Sequence, residues 1–350
     1  MVATPSPEPD ITWCHEAVQD VSRTFALTVD VLEEPMSSQI CLGYLLCRVA
    51  DTIEDAGHIS PESQANLLRT FDAALNPASN ETMKEFRAAV DGWLPSSADR
   101  SADWSVVAQS PTIWATFTNQ PESVQTAVIP LVQEMVDGMT MFVERYAHTG
   151  GLRINDRSEL EQYCYYAAGT VGRLITNLLT RGNVSQKRAR RLYDNADGFG
   201  LLLQMVNVSK DVYDDYTEEN NVYLPAEWLA DEGVDQDSIL RADNREPVAK
   251  VVERTASHAR TFLDDAQAYI EAMPLTHGNT IAAWSIPYLL SVGTLRELNT
   301  RPEDALTEAG VKISRREVIA VMEAASTADR NAIAGLRETI AHKPYHQALD

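Results

Sequence analysis

Twice in this chain a strongly apolar run ends in carboxylates spaced about one helical turn apart, and few folds can accommodate that. The first run, Tyr44-Leu-Leu-Cys-Arg48-Val-Ala-Asp51-Thr-Ile-Glu54-Asp55, sets Tyr44, Arg48, Asp51 and Asp55 in steps of 4, 3 and 4. Such steps align side chains along one face of a helix. The second, Gln204-Met-Val-Asn207-Val-Ser-Lys210-Asp211-Val-Tyr-Asp214-Asp215, aligns Gln204, Asn207, Asp211 and Asp215 in steps of 3, 4 and 4. Singly, each ladder reads equally well as the solvated face of an amphipathic helix in a chain with 51 acids. As a pair beside apolar residues (Ile40 to Val49 and Phe199 to Val206), they imply helices that face each other across one interior. Carboxylates gathered there need a cation between them, because burying like charges unpaired is too costly. Mg²⁺ suits the role: it takes a few carboxylates, keeps water and accepts phosphate oxygens. Zinc does not suit, since no His/Cys cluster has ligand spacing; His342 and His346 straddle Pro344 and read as a surface tail.

The remaining sequence is helical in period almost throughout. Val248, Val251, Val252, Ala259, Phe262, Leu263, Ala266 and Ile270 predict one long apolar stripe. Val318, Val321, Met322, Ala325, Ile333, Leu336 and Ile340 predict another. Ser158 with Glu161 predicts a capping box and a helix start. Turn-rich breaks fall at 57–61, 93–104, 148–157, 216–225 and 273–279, and none has the character of an interdomain linker. The expected architecture is a single all-α helical bundle around a central cavity, spanning residues 11–341, with flexible ends at 1–10 and 342–350.

Charge narrows the partners. The net charge of −22 argues against nucleic acid and against a polybasic grip on anionic lipid. So acidic a surface is best tolerated where salt screens it, so a salt-rich cytoplasm is expected. No signal peptide and no run of about 18 apolar residues is present, so the chain reads as soluble and intracellular. Cys14, Cys41, Cys47 and Cys164 lack CxxC spacing and are expected to be reduced core thiols. No Walker A loop, GxGxxG or GxSxG occurs, which disfavours P-loop, Rossmann and α/β-hydrolase chemistry. Between the ladders lies Tyr163-Cys-Tyr-Tyr166-Ala-Ala-Gly169-Thr-Val-Gly172. Its glycines read first as close helix packing, or else as room for an apolar substrate where a helix loosens. Tyr163 reads either as a core tyrosine or as a hydroxyl beside a reacting centre.

Taken in order, Ser22-Arg23-Thr24-Phe25, residues 44–55, residues 163–172, residues 201–215 and Val222-Tyr223-Leu224-Pro225 resemble the squalene/phytoene synthase family. The similarity runs from about residue 12 to 340. Two later segments, Ile286 to Leu295 and Gly310-Val311-Lys312-Ile313, resemble the squalene-forming branch rather than the phytoene-forming one. The resemblance implies an isoprenoid-synthase fold and head-to-head joining of two farnesyl diphosphates with Mg²⁺, then reduction by NADPH; a monomer is expected. It implies Asp51, Glu54, Asp55, Asp211 and Asp215 as metal carboxylates, Asp214 being adjacent with no firm role. Ser22, Arg23, Tyr44, Arg48, Gln204, Asn207 and Lys210 are implied around diphosphate. Tyr163 is implied in the first half-reaction, and Lys312 with Arg315 at NADPH. Leu45, Val49, Leu174, Leu202, Met205 and Leu289 are the implied apolar lining. The chain departs from the family pattern at Lys210, where Arg is common, and at Glu219-Asn220-Asn221, where Gly-Arg is usual and one residue fewer is present. Lys210 or Arg173 is the expected substitute for the lost diphosphate contact. The membrane anchor of the animal enzymes has no counterpart in the sequence, and transient membrane contact is left open. Two alternatives stay open: a reductant-free synthase of phytoene from geranylgeranyl diphosphate, and a non-catalytic helical assembly factor.

Overall fold

The computed structural model describes residues 8–76 and 82–348. Among them no strand forms; extended pairing is confined to isolated bridges, Leu32 with Gly278 and Arg153 with Val222. The all-α expectation therefore holds. Helix starts follow local chemistry, with side-chain oxygens meeting orphan backbone donors. Asp10 accepts from Trp13 N at 2.9 Å, and Ser22, Ser60, Ser185 and Ser314 cap their helices in the same way. The predicted Ser158–Glu161 box is displaced: Asp156 caps the Arg157–Cys164 helix, accepting from Glu159 N at 2.9 Å. Asp156 has the extended backbone an N-cap needs, which moves the start two residues earlier.

Helix Gln186–Lys210 is the hub, packed against Thr170–Thr180, Arg245–Ala259, Leu263–Glu271 and Thr280–Thr300. Helix Met36–Glu54 lies on the other side, against Glu122–Arg145 and Pro61–Leu75, and Thr170–Thr180 touches both groups. Where Thr170–Thr180 crosses the hub, a Cβ on Gly172 would fall 2.6 Å from the Ala196 carbonyl oxygen. From the other helix, a Cβ on Gly200 would fall 2.5 Å from that of Ala168. Close packing is thus the reason for Gly172. Immediately before it, Tyr165–Gly169 forms a π-helical turn, so the segment is loosened as well.

The long stripes subdivide. A 3₁₀ turn, Arg260–Phe262, separates Arg245–Ala259 from Leu263–Glu271, and the C-terminal stripe splits into Arg315–Thr327 and Ala332–His342. The second acidic ladder also breaks, at Asp211, between Gln186–Lys210 and Val212–Glu218. The expected break at 216–225 begins late, because that helix runs to Glu218. The C-terminal end, expected to be loose, is docked: Tyr345 N donates to the buried Glu317 carboxylate at 3.1 Å. Residues 1–7 of the expected flexible N-terminus, and 349–350 of the tail, lie outside the described residues. Leu45, Val49, Leu174, Leu202, Met205 and Leu289 are all in the buried core. All four cysteines are free and buried, as expected, and burial raises their thiols far above the ordinary range.

Candidate active site

The first acidic segment closes the Met36–Glu54 helix, with Asp55 as its C-cap. Arg48 donates through Nε to Asp103 at 2.8 Å and pairs with Asp51, so the guanidinium clamps one carboxylate of the ladder. Tyr44 stacks on Phe25 with ring centroids 4.0 Å apart, and its hydroxyl lies toward the Ser22 side chain. Ser22, Tyr44 and Arg48 therefore meet at one end of the segment. Arg23 opens the Arg23–Asp30 helix, but its side chain lies outside the described residues.

The break at Asp211 keeps the second ladder in register. Asp211 N donates to Asn207 O at 3.1 Å, and Asp215 N donates to Asp211 O at 2.9 Å. The i to i−4 bonds thus continue across the junction, while Lys210, in the last turn of its helix, pairs with Asp211. Gln204, Asp211 and Asp215 are half-buried, and Asn207 is exposed.

Tertiary structure brings the two segments together. A Cβ on Gly57, just past Asp55, would sit 2.9 Å from the Glu218 carbonyl oxygen at the end of the second segment. Burial, then the charges of Asp51, Glu219 and Asp215, lifts the Asp55 carboxyl well above its usual range, Arg48 opposing. Burial and Asp211 do the same to Asp215, and burial with Asp55 and Asp51 to Glu54. Burial also raises Asp51, with Arg48 opposing. These groups repel each other across the cleft, as the paired ladders predicted.

Tyr163 lies at the centre of a buried hydrogen-bonded chain. Its hydroxyl donates to Glu54 Oε2 at 3.2 Å and sits 2.9 Å from the Tyr223 hydroxyl, to which Asn221 Nδ2 donates at 3.1 Å. Burial, then Glu54 and Asp55, pushes the Tyr163 phenol well above its ordinary value, so it stays neutral. Glu54 is 2% exposed, and its other oxygen, Oε1, accepts no hydrogen bond. A small cavity of about 10 Å³ opens beside it, lined by Glu54, Glu219, Asn221, Gly57, Gly151 and Leu152 among others.

Glu219, Asn221, Tyr223 and Asp103 were not read as site residues from the sequence. Glu219 had a legible signal: it extends the ladder Asp211, Asp215 by another four residues. Burial, then Asp215, Glu54 and Asp51, pushes its carboxyl up to about 9. Asp103, from the neighbouring Ala102–Ala108 helix, gave no local signal. Arg173 is committed elsewhere, donating to both Asp197 oxygens at 2.7 Å. Lys312 and Arg315 are exposed, and a Cβ on Gly310 would lie 3.7 Å from both Lys210 O and Lys312 Cε. The Lys312 loop thus lies beside the second acidic segment.

An all-oxygen donor set with an orphaned buried carboxylate oxygen fits a hard divalent cation. Among the described residues no three His, Cys, Asp or Glu side chains already close on one point. A cation here would take its remaining ligands from water or from the substrate's own oxygens. Nor is any helix among the described residues long and apolar enough to cross a membrane.

The squalene/phytoene synthase profile matches residues 18–317. Squalene synthase from Homo sapiens is 23% identical over 88% of this chain and 68% of its own length. Squalene synthase from Schizosaccharomyces pombe is 21% identical over 89% of the chain but 64% of its own length, so the chain spans under two thirds of that relative. In fold, the chain matches a solved TcSQS structure in complex with a ligand, at TM-score 0.78 and 21% identity over 94% of this chain and 89% of that one. A dehydrosqualene synthase structure matches at TM-score 0.62 and 19% identity, over 89% and 94% of the two chains.

Proposed function

The chain belongs to the squalene/phytoene synthase family, and on that premise we propose that it joins two farnesyl diphosphates head to head and reduces the product to squalene. The convergence of two acidic segments, with their repulsion only partly offset by Arg48 and Lys210 and one buried Glu54 oxygen unpartnered, carries this reading. Bound Mg²⁺ would neutralise the diphosphate and help it leave as negative charge develops. Asp51, Glu54, Asp55, Asp211 and Asp215 are the residues that would hold it. Arg48 and Lys210, which pair with these acids, orient a phosphate-bearing group, helped by Ser22, Tyr44, Gln204 and Asn207. The neutral Tyr163 hydroxyl, bridging Tyr223 and Glu54, offers a released proton a hydrogen-bonded route away from the apolar interior. The packed core behind it excludes water that would trap a carbocation.

NADPH would supply hydride in the closing step. Lys312, beside the second acidic segment, and Arg315 are the cations that would meet its phosphates. That placement, with the squalene synthase relatives, favours squalene over phytoene. Product analysis decides: farnesyl diphosphate with Mg²⁺ gives squalene only when NADPH is present. Phytoene from geranylgeranyl diphosphate as sole product, without reductant, overturns the assignment. No turnover of either substrate points to the non-catalytic assembly role.

We place this chain, as a monomer, in salt-rich surroundings, and metal-free melts check the charge argument on two axes. The Glu219 carboxyl titrates near its ordinary 4.5 when unfolded and up to about 9 when folded. Stability tied to its neutral form is complete below the unfolded value and is lost as pH rises through the folded one. In EDTA the midpoint should fall between about pH 5 and 9, and rise with KCl as surface acids are screened. A midpoint indifferent to both overturns the charge argument.

A further inference from the structure

Glu219 is the acid in this cleft that the family resemblance did not supply. It lies in the stretch where the chain departs from the family pattern, on the loop after the second acidic segment, yet it lines one cavity with Glu54 of the first, and its Cα lies 3.3 Å from where a Cβ on Gly57 would sit. The loop that carries it is fixed. Asn220 adopts φ 59°, a left-handed conformation that asparagine tolerates. Arg153 holds Asn220, donating to its Oδ1 at 2.9 Å and also to its carbonyl, and Arg153 donates to Asp237 at 3.1 Å. Asn221 is anchored by Leu152 N, which donates to its Oδ1 at 2.8 Å, and Asn221 Nδ2 donates to Glu219 Oε2 at 3.2 Å. One Glu219 oxygen is thereby oriented.

A second observation points to a ligand in the same space. Glu54, 2% exposed, lines the cavity that Glu219 lines and leaves Oε1 without a donor. A buried oxygen without a partner costs free energy, and a second carboxylate facing the same cavity adds repulsion rather than relief. Glu54 and Glu219 line this space; among the described residues, the cations at the neighbouring acids are Arg48, already shared by Asp51 and Asp103, and Lys210, already paired with Asp211.

We infer that Glu219 is a further metal-binding carboxylate, bridging the two acidic segments through a divalent cation that Glu54 also contacts. In this chain a loop carboxylate and its cation then do together what a basic loop residue could do alone: they present positive charge to a diphosphate. The inference rests on the proposed function above, and its test separates the two.

The full chain is titrated with Mn²⁺ alone, and free Mn²⁺ is followed by electron paramagnetic resonance. Glu219→Gln should weaken Mn²⁺ binding at least about ten-fold, since loss of even an outer-shell partner of a metal ligand costs about that much, and Glu219→Asp should lose less. In EDTA the Glu219→Gln midpoint should equal or exceed wild type, because an amide of the same shape does not have to be kept protonated on folding; a merely structural glutamate would lower it. Wild-type Mn²⁺ affinity in Glu219→Gln overturns the inference while leaving the proposed function standing. Absence of Mn²⁺ binding and of turnover in the wild type overturns both.

Discussion

Asp211→Asn should lower condensation of farnesyl diphosphate by about 10³-fold, the scale of losing an electrostatic stabiliser of a leaving group. The substitution is nearly isosteric and sits where the backbone does the structural work. The helix break at Asp211 is held by Asp211 N to Asn207 O and Asp215 N to Asp211 O, and neither bond involves the side chain. What changes is one negative charge at the point where Lys210, Asp215 and a bound cation would meet. The loss should appear in kcat together with a higher Mg²⁺ requirement, and the metal-free melting midpoint should not fall. Asp243→Asn, an exposed acid on the Ala242–Asn244 turn, controls for net charge alone and should be silent. Activity of Asp211→Asn within about three-fold of wild type would return the second ladder to an ordinary solvated helix face.

The largest effect on stability is expected at Arg296. This side chain, 10% exposed, makes two bonds of 2.8 Å to the Glu317 carboxylate, itself 2% exposed, and donates to Ile340 O at 2.7 Å. It also pairs with Glu297 at 2.7 Å. One guanidinium therefore joins the Thr280–Thr300, Arg315–Thr327 and Ala332–His342 helices. Arg296→Met keeps volume but strands Glu317 as a buried anion, which costs about 3 kcal/mol or more. A chain of this size should then melt roughly 5 °C lower or more. Combining Arg296→Met with Glu317→Leu should recover part of the loss, since removing both charges also removes the stranded one. A single variant as stable as wild type would show that water or Glu297 already carries the pair. Because Ser314 caps the Glu317 helix and Arg301 donates to Lys312 O at 2.7 Å, a loosened Glu317 should also free the Lys312 loop. The proposed contact of Lys312 with NADPH should therefore weaken before global unfolding.

Much of this molecule is legible one helix at a time. The ladder at Tyr44, Arg48, Asp51 and Asp55 needed only helical period, and so did the apolar runs that feed it. Gly172 was readable as close packing because a helical glycine carries a local cost that something must offset. Local rules erred where two of them competed: Ser158 and Asp156 both cap, and the backbone conformation before Arg157 chose between them. They erred again at the C-terminus, where a polar tail after Pro344 is held by Glu317, 28 residues earlier.

Family resemblance named the chemistry, yet the departure at Glu219-Asn220-Asn221 read only as a lost contact. Folded, it is a carboxylate in the cleft, a left-handed turn pinned by Arg153, and an amide that orients Tyr223. The sequence by itself determined the helices, their acidic faces and the expectation of a cation, because each depends on neighbours three or four residues away. Only the tertiary structure decided that Glu54 meets Tyr163 across 109 residues, and that Glu219 shares a cavity with Glu54. The physical reason is range: helix period is set by local backbone hydrogen bonds, whereas charge repulsion and orphaned oxygens exist only once distant helices pack.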